Sequence, residues 1–157
     1  MPVDAKSDAD VLFEAAWRND TASIVKLLDE GTDINAAEER GLPALCAAIE
    51  NLSYDGFVLL LSRGANPHSY GNVGNWTPLA HAVEYVVLCQ TDNVKSGVEP
   101  LIAIIELLIK RGADPSSVGG PLKMSPLEYG ERLRQGSTRE LADRLLRLFR
   151  LVTTKST

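Results

Sequence analysis

A group of four positions that recurs along the chain constrains the fold most strongly. Apolar residues at i, i+3 and i+4, followed by a glycine three residues later, predict a short helix that ends at that glycine. The group occurs first at Ile24, Leu27, Leu28 and Gly31, again 33 residues later at Phe57, Leu60, Leu61 and Gly64, and again 48 residues after that at Ile105, Leu108, Ile109 and Gly112. One such unit is too small to bury its own apolar face, so the copies are expected to stack.

A second marker opens each unit and recurs with matching intervals. Leu45 is followed by Leu79 after 34 residues, and Thr-Pro-Leu at residues 77–79 becomes Ser-Pro-Leu at residues 125–127 after 48. The hydroxyl of such a motif caps a helix, and proline fits the first helical position. Each unit therefore begins with one helix and ends with another.

Cap signals also open the first pair of helices. Ser7 has an acid three residues later, which predicts a capping box before an apolar run at helical spacing. Asp20 or Thr21 is expected to cap the second helix.

These motifs resemble the ankyrin repeat. Residues 77–82 read Thr-Pro-Leu-Ala-His-Ala, and residues 107–114 fit Leu-Leu-x-x-x-Gly-Ala-Asp. The resemblance implies an all-α solenoid of about four helix-turn-helix units with short hairpin-like fingers. It places one domain at residues 7–151, with flexible ends at 1–6 and 152–157. The repeats fall at about 8–38, 39–71, 72–119 and 120–151.

The chain departs from the ankyrin pattern at two kinds of position. The usual histidine of the opening motif is replaced by Cys46, Ala80 and Glu128. The last unit lacks Gly-Ala-Asp, and its final helix, expected to open at Ser137 with Glu140 in a capping box, fits a terminal cap that meets water on one side.

The third unit is longer than its neighbours. Pro43 and Gly64 are 21 residues apart, whereas Thr77 and Gly112 are 35 apart, a difference of 14. We expect a lengthened first helix, a polar loop at residues 90–97 and a second helix that begins early, with Pro100 near its first turn. The extra length is either an inert elongation or a projection that contacts a partner.

Composition and charge limit the classes of function. The 157 residues are 45% hydrophobic and 24% charged, with a net charge of -5, which disfavours general nucleic-acid binding. Residues 1–66 carry 12 acids and 5 bases, and residues 67–157 carry 9 acids and 11 bases. The six arginines between residues 132 and 150 form either a solvated helix face or a contact for an acidic partner.

Cellular location is predicted from what the sequence contains. Cys46 and Cys89 lie in apolar surroundings and read as buried free thiols of a reducing compartment. We see neither a signal peptide nor a run long enough to cross a membrane, so a cytoplasmic protein without membrane contact is expected.

Catalysis finds little support. His68 and His81 are the only histidines, and neither lies in a pattern typical of a triad or a metal site. We expect His81 to form a hydrogen bond between repeats. No enzyme activity, metal, cofactor or small-molecule substrate is predicted.

Binding through the protein surface is the kind of function that remains, and the resemblance to ankyrin proteins implies which positions contact a partner. Ten candidates result: Trp17, Arg18, Glu39, Arg40, Glu50, Asn51, Trp76, Glu84, Tyr85 and Met124. Their aromatic side chains either fill an irregular stack or form a binding face. In such a face, Glu50 and Glu84 would favour a basic partner.

The resemblance implies a protein-binding module that inhibits or neutralises a specific partner. A small ankyrin protein with an acidic face is similar to the immunity proteins that accompany bacterial toxins. The alternative is a regulatory or scaffolding adaptor in a larger complex.

Overall fold

The computed structural model describes residues 6–68, 76–91, 95–120, 123–136 and 138–153, and helices dominate these ranges. The α-helices are α1 (Asp8–Trp17), α2 (Thr21–Asp29), α3 (Ala44–Glu50), α4 (Tyr54–Ser62), α5 (Pro78–Thr91), α6 (Val98–Lys110), α7 (Pro126–Leu133) and α8 (Arg139–Thr153). Over the described ranges, β pairing is limited to two isolated antiparallel bridges, Ala37 with Pro43 and Gly119 with Met124. Each bridge closes a turn that precedes an odd-numbered helix, so the predicted all-α stack with hairpin-like fingers is confirmed.

The helices form two layers. Helices α1, α3, α5 and α7 follow one another in the first layer, and α2, α4, α6 and α8 follow one another in the second. Each helix of the first layer also contacts the next helix along the chain. The largest fully buried side chains are Phe57, Phe149, Leu12, Ile24, Leu45, Ile49, Leu60, Leu79, Leu101, Ile104, Ile105 and Leu108.

The predicted helix ends are confirmed. Gly31, Gly64 and Gly112 follow α2, α4 and α6 with φ of 97°, 95° and 90°. This left-handed conformation is easiest for a residue without a Cβ. The N-cap of α2 is Asp20, whose carboxylate accepts a hydrogen bond of 3.0 Å from the Ser23 amide.

The third unit is long for the reason expected, but the loop within it is shorter than expected. Helix α5 has 14 residues against 7 in α3, and α6 has 13 against 9 in α4. Of the polar loop expected at residues 90–97, the first two residues belong to α5, Lys95–Gly97 form a 3₁₀ turn, and 92–94 lie outside the described residues. A Cβ at Gly97 would lie 2.7 Å from Cys89 Sγ, so close packing against α5 holds this segment where composition alone suggests a free loop.

The last helix closes the stack. Leu141, Leu145, Leu146 and Phe149 are buried. The expected cap residue Ser137 lies outside the described residues. Beside the apolar face, arginines pair with carboxylates, as when Arg144 donates two hydrogen bonds of 2.7 and 2.9 Å to Glu99 of α6. These pairs favour the interpretation of the arginine run as a solvated face.

Candidate functional site

The end of α1 presents a large aromatic side chain to solvent. Trp17 is 43% exposed and lines a surface depression. Its backbone carbonyl accepts hydrogen bonds from Asn51 Nδ2 at 2.8 Å and Ser53 Oγ at 2.9 Å. The second repeat therefore fixes the backbone of Trp17 while its ring stays accessible. The other residues that line the depression are Phe13, Glu14, Arg40 and Glu50.

Arg40 lines this depression, and its guanidinium already contacts other side chains of the chain. Its guanidinium lies over the Phe13 ring at 4.9 Å from the centroid, a cation–π contact. Its Nε is 3.3 Å from Glu38 Oε2, and its Nη2 is 3.9 Å from Glu50 Oε2. Much of the negative charge on this part of the surface is thus balanced within the chain.

His81 joins the depression to the next repeat. Its Nε2 lies 3.3 Å from Glu50 Oε1, and its side chain is only 1% exposed. The ring stacks on Tyr85 with centroids 4.9 Å apart, and Trp76 stands edge-on to it at 4.4 Å. Neither ring nitrogen has a hydrogen-bond partner among the described atoms, so the expected hydrogen bond between repeats is not formed. At this point His81 of the third repeat is instead a close neighbour of Glu50 of the second, without a hydrogen bond between them.

A narrow cleft lies on the other side of Trp76. Trp76, Glu84 and Tyr129 line it, together with Gly120 and Met124 of the following finger. Its volume of about 20 Å³ is enough for about one water molecule, too little to enclose a metabolite.

The carboxylate in this cleft differs from the other acids of the surface. Burial raises the pKa of Glu84 above its ordinary value, with the nearby His81 acting in the opposite direction. Burial also raises the pKa of Tyr129, and the Glu84 charge adds to that effect. Glu84 forms no ion pair with any described residue, whereas Glu14, Glu38 and Glu50 each have a basic partner. Of the two carboxylates expected to make the face acidic, Glu50 has a basic partner, so most of the unbalanced negative charge belongs to Glu84.

The structure brings most of the ten candidate residues together on one surface. Trp17, Arg40 and Glu50 share the depression, while Trp76, Glu84 and Met124 share the cleft. Tyr85 belongs to the stack with His81 that lies between Glu50 and Trp76. We call the surface formed by Trp17, Arg40, Glu50, Trp76, Glu84, Tyr85 and Met124 the first-layer face.

The remaining three candidates make contacts within the chain. Arg18 pairs with Glu14, and the Glu39 amide donates a hydrogen bond of 3.0 Å to Asp10 Oδ1. The side-chain amide of Asn51 donates a hydrogen bond to the Trp17 carbonyl. Each of these contacts gives its residue a structural role independent of any partner.

Sequence reasoning missed Tyr129, although a signal for it exists. Tyr129 stands four residues after the cap residue Ser125, as His81 stands four residues after Thr77. Both caps are formed, since Ser125 Oγ accepts from the Glu128 amide at 3.2 Å and Thr77 Oγ1 accepts from the Ala80 amide at 3.1 Å. Aligning the two helices at their caps would have placed Tyr129 beside the cleft.

Within the described ranges, no group of three or more histidine, cysteine, aspartate or glutamate side chains is arranged to hold a metal ion. Nor does any helix there have the length and apolar character needed to cross a membrane.

Stacked pairs of antiparallel helices, with left-handed glycines ending the first three pairs, define a helical repeat solenoid. A family model described as ankyrin repeats (3 copies) matches residues 12–118, and the chain belongs to the ankyrin-repeat family. Ankyrin repeats are generally non-enzymatic modules of protein–protein interaction.

The chain is also similar to a curated protein from Echinops telfairi, "Ankyrin repeat, SAM and basic leucine zipper domain-containing protein 1". The two are 25% identical over 131 residues, which is 83% of this chain and 25% of the relative. The chain thus spans about a quarter of the length of the relative that it matches.

Proposed function

We propose that the chain binds a specific basic protein through the first-layer face and neutralises it in the cytoplasm, as an immunity protein does for a bacterial toxin. The observation that carries the proposal is the exposure of Trp17. Its ring remains 43% accessible at the edge of a depression, although the second repeat fixes its backbone. A rigidly placed tryptophan of this kind is typical of interface hot spots.

The surface around Trp17 supports an extended contact. Glu50 connects the depression to the buried His81, and the Trp76 ring links His81 to the cleft of Glu84. Aromatic side chains therefore lie on this surface in the first, third and fourth repeats, from α1 to α7, with Arg40 and Glu50 of the second repeat between them. A partner of protein size can span this distance, whereas a small ligand would fill only one part of it.

Charge supports a basic partner. The chain carries a net charge of -5, and the carboxylate of Glu84, within the first-layer face, forms no ion pair with any residue that the structure describes. Complementary charge chiefly accelerates association and excludes wrong partners.

An adaptor function is the second candidate. It is supported by the name of the Echinops telfairi relative, in which ankyrin repeats accompany SAM and basic leucine zipper domains. In this function the chain would hold its partner within a larger assembly without inhibiting it.

The test compares wild type with Trp17→Ser and Tyr54→Ser. Tyr54 is a matched control because it is also aromatic and 43% exposed, but it begins α4 in the second layer. The three proteins are immobilised side by side, retained proteins are identified by mass spectrometry, and affinity for the purified partner is measured by calorimetry. We expect Trp17→Ser to weaken binding by about 2 kcal/mol, or roughly 30-fold, and Tyr54→Ser to leave it unchanged.

Neutralisation is tested by producing the partner in cells alone and together with each variant. Growth arrest that wild type and Tyr54→Ser relieve, but Trp17→Ser does not, supports the proposed function. Equal affinity of both variants would contradict the assignment of the face. A partner that is harmless alone and stays in a stable complex would replace neutralisation by the adaptor function.

A further inference from the structure

The cleft between Trp76 and Tyr129 contains an ionisable group that has no counter-ion among the described residues. The Glu84 side chain is half-buried there and forms no ion pair with any described residue. A partly desolvated carboxylate is costly unless a cation or hydrogen-bond donors compensate it. The folded chain therefore holds an anionic position that a ligand can satisfy.

A basic side chain of α7 lies near the cleft but contacts a residue of its rim. Arg132 of α7 extends to the rim, where its Nη1 lies 3.7 Å from Met124 Sδ. It acts on the Tyr129 hydroxyl only through its charge, and it forms no ion pair with Glu84. None of the described residues thus supplies a cation that pairs with Glu84, and a cation from a partner can do so.

Aromatic rings and a glycine shape the space around Glu84. A Cβ at Gly120 would lie 2.9 Å from Trp76 Cδ1, so the finger backbone fixes the edge of the indole. His81 supports the indole from the other side. Trp76 is therefore held as a rigid wall, with the ring of Tyr129 also lining the cleft.

We propose that this cleft receives the side chain of one arginine of the protein partner, which stacks on Trp76 and Tyr129 and pairs with Glu84. This inference rests on the proposed function and names the chemistry of one contact within it. Arginine fits better than lysine because its guanidinium is flat, always charged and more weakly hydrated than an ammonium group. The free volume of about 20 Å³ is too small to enclose a guanidinium, so the flat group lies across the open mouth of the cleft, over the aromatic rings that line it.

The test uses the full chain and three capped tripeptides that differ only at the central residue: arginine, lysine or the neutral isostere citrulline. Binding is followed by NMR at the two indole N–H signals, because Trp17 and Trp76 are the only tryptophans. We expect the arginine peptide at millimolar concentration to shift the Trp76 signal and not the Trp17 signal. The citrulline peptide should have no effect, and the lysine peptide should bind more weakly.

Two substitutions complete the experiment. Glu84→Gln should weaken binding of the arginine peptide by about 3- to 10-fold, as expected for loss of one partly desolvated charge contact. Glu106→Gln is the matched control, since Glu106 is also half-buried but lies on α6 in the second layer. No shift of Trp76, an equal shift with citrulline, equal binding of lysine, or no effect of Glu84→Gln would each overturn the proposal. None of these outcomes bears on Trp17, so the proposed function stands or falls separately.

Discussion

Gly120 lies so close to Trp76 that a Cβ at this glycine would be 2.9 Å from the indole Cδ1. The φ of Gly120 is 74°, in the region that residues with side chains rarely adopt. The glycine thus fixes both the path of the finger and the position of a ring in the candidate face.

Gly120→Ala is expected to destabilise the chain through both effects. Gly31→Ala is the matched control, because Gly31 has φ of 97° and nothing within 4 Å of the added carbon. We expect Gly31→Ala to cost about 1 kcal/mol and Gly120→Ala about 1–3 kcal/mol more. Urea denaturation followed by circular dichroism gives both values, and equal costs would show that the indole gives way freely.

The closing helix should depend on its apolar face. Phe149 is fully buried, and a Cβ at Gly130 of α7 would lie 3.8 Å from its ring. Phe149→Ala should cost about 3–5 kcal/mol, whereas Leu151→Ala, at a position 62% exposed, should change stability by less than about 0.5 kcal/mol. Chemical denaturation measures the difference, and similar effects of the two substitutions would contradict this packing of α8.

Replacing Glu84 by glutamine should stabilise the fold at pH 7, although it is expected to weaken binding of the arginine peptide. Because burial raises the pKa of Glu84 above 4.5, the folded state binds the proton more tightly than the unfolded state does. The resulting stabilisation is full below pH 4.5 and is lost as the pH rises. Glu84→Gln removes the charged form, so its Tm at pH 7 should exceed that of wild type by on the order of 1 °C. The difference should vanish in acid, and a lower Tm at pH 7 would contradict the assignment.

Glu128 provides a control of opposite sign. The Ser125 amide donates a hydrogen bond to its carboxylate and lowers its pKa below 4.5, so its ionised form stabilises the fold. This contribution is present above pH 4.5 and is lost as the pH falls through the lowered pKa. Glu128→Gln keeps the shape of the capping box and should lower Tm at pH 7, with the deficit shrinking in acid. A thermal series over the same pH values as for Glu84→Gln tests both.

Cys46 should behave as a core residue. It is fully buried, and burial raises the pKa of its thiol, so the reactive thiolate is not available in the folded state. In a Cys89→Ser background, where Cys46 is the only thiol, modification should proceed only as fast as the chain unfolds. Rapid modification of the folded protein would contradict this. Added to that background, Cys46→Ser should cost about 1–3 kcal/mol, because it buries a hydroxyl, and Cys46→Ala should cost less.

Local signals allowed much of the fold to be predicted. The positive φ of Gly64 and the cap at Ser125 depend on nearest neighbours in the chain, so their residue types were enough. The continuation of α5 through Thr91 was not predicted, because it accompanies the packing of Cys89 against Gly97, which polar composition does not reveal.

The candidate face was predicted less completely. Trp17 and Trp76 were found as large aromatics at positions that face outward in similar repeats. Their surroundings depend on contacts between repeats, such as Glu50 with His81, and these are set by the register of the stack rather than by any one helix. The same dependence explains why Asn51, which is exposed as expected, also donates a hydrogen bond to the Trp17 carbonyl.

The left-handed glycines after α2, α4 and α6 have φ values within 7° of one another, although 33 residues separate the first two and 48 the last two. The additional residues of the third repeat therefore all lie before the glycine that ends α6. Each of these three repeats thus ends its second helix with the same left-handed glycine conformation, whatever the length of its helices. Length can therefore vary within a repeat, between its opening cap and its closing glycine, while the turn after that repeat keeps its conformation.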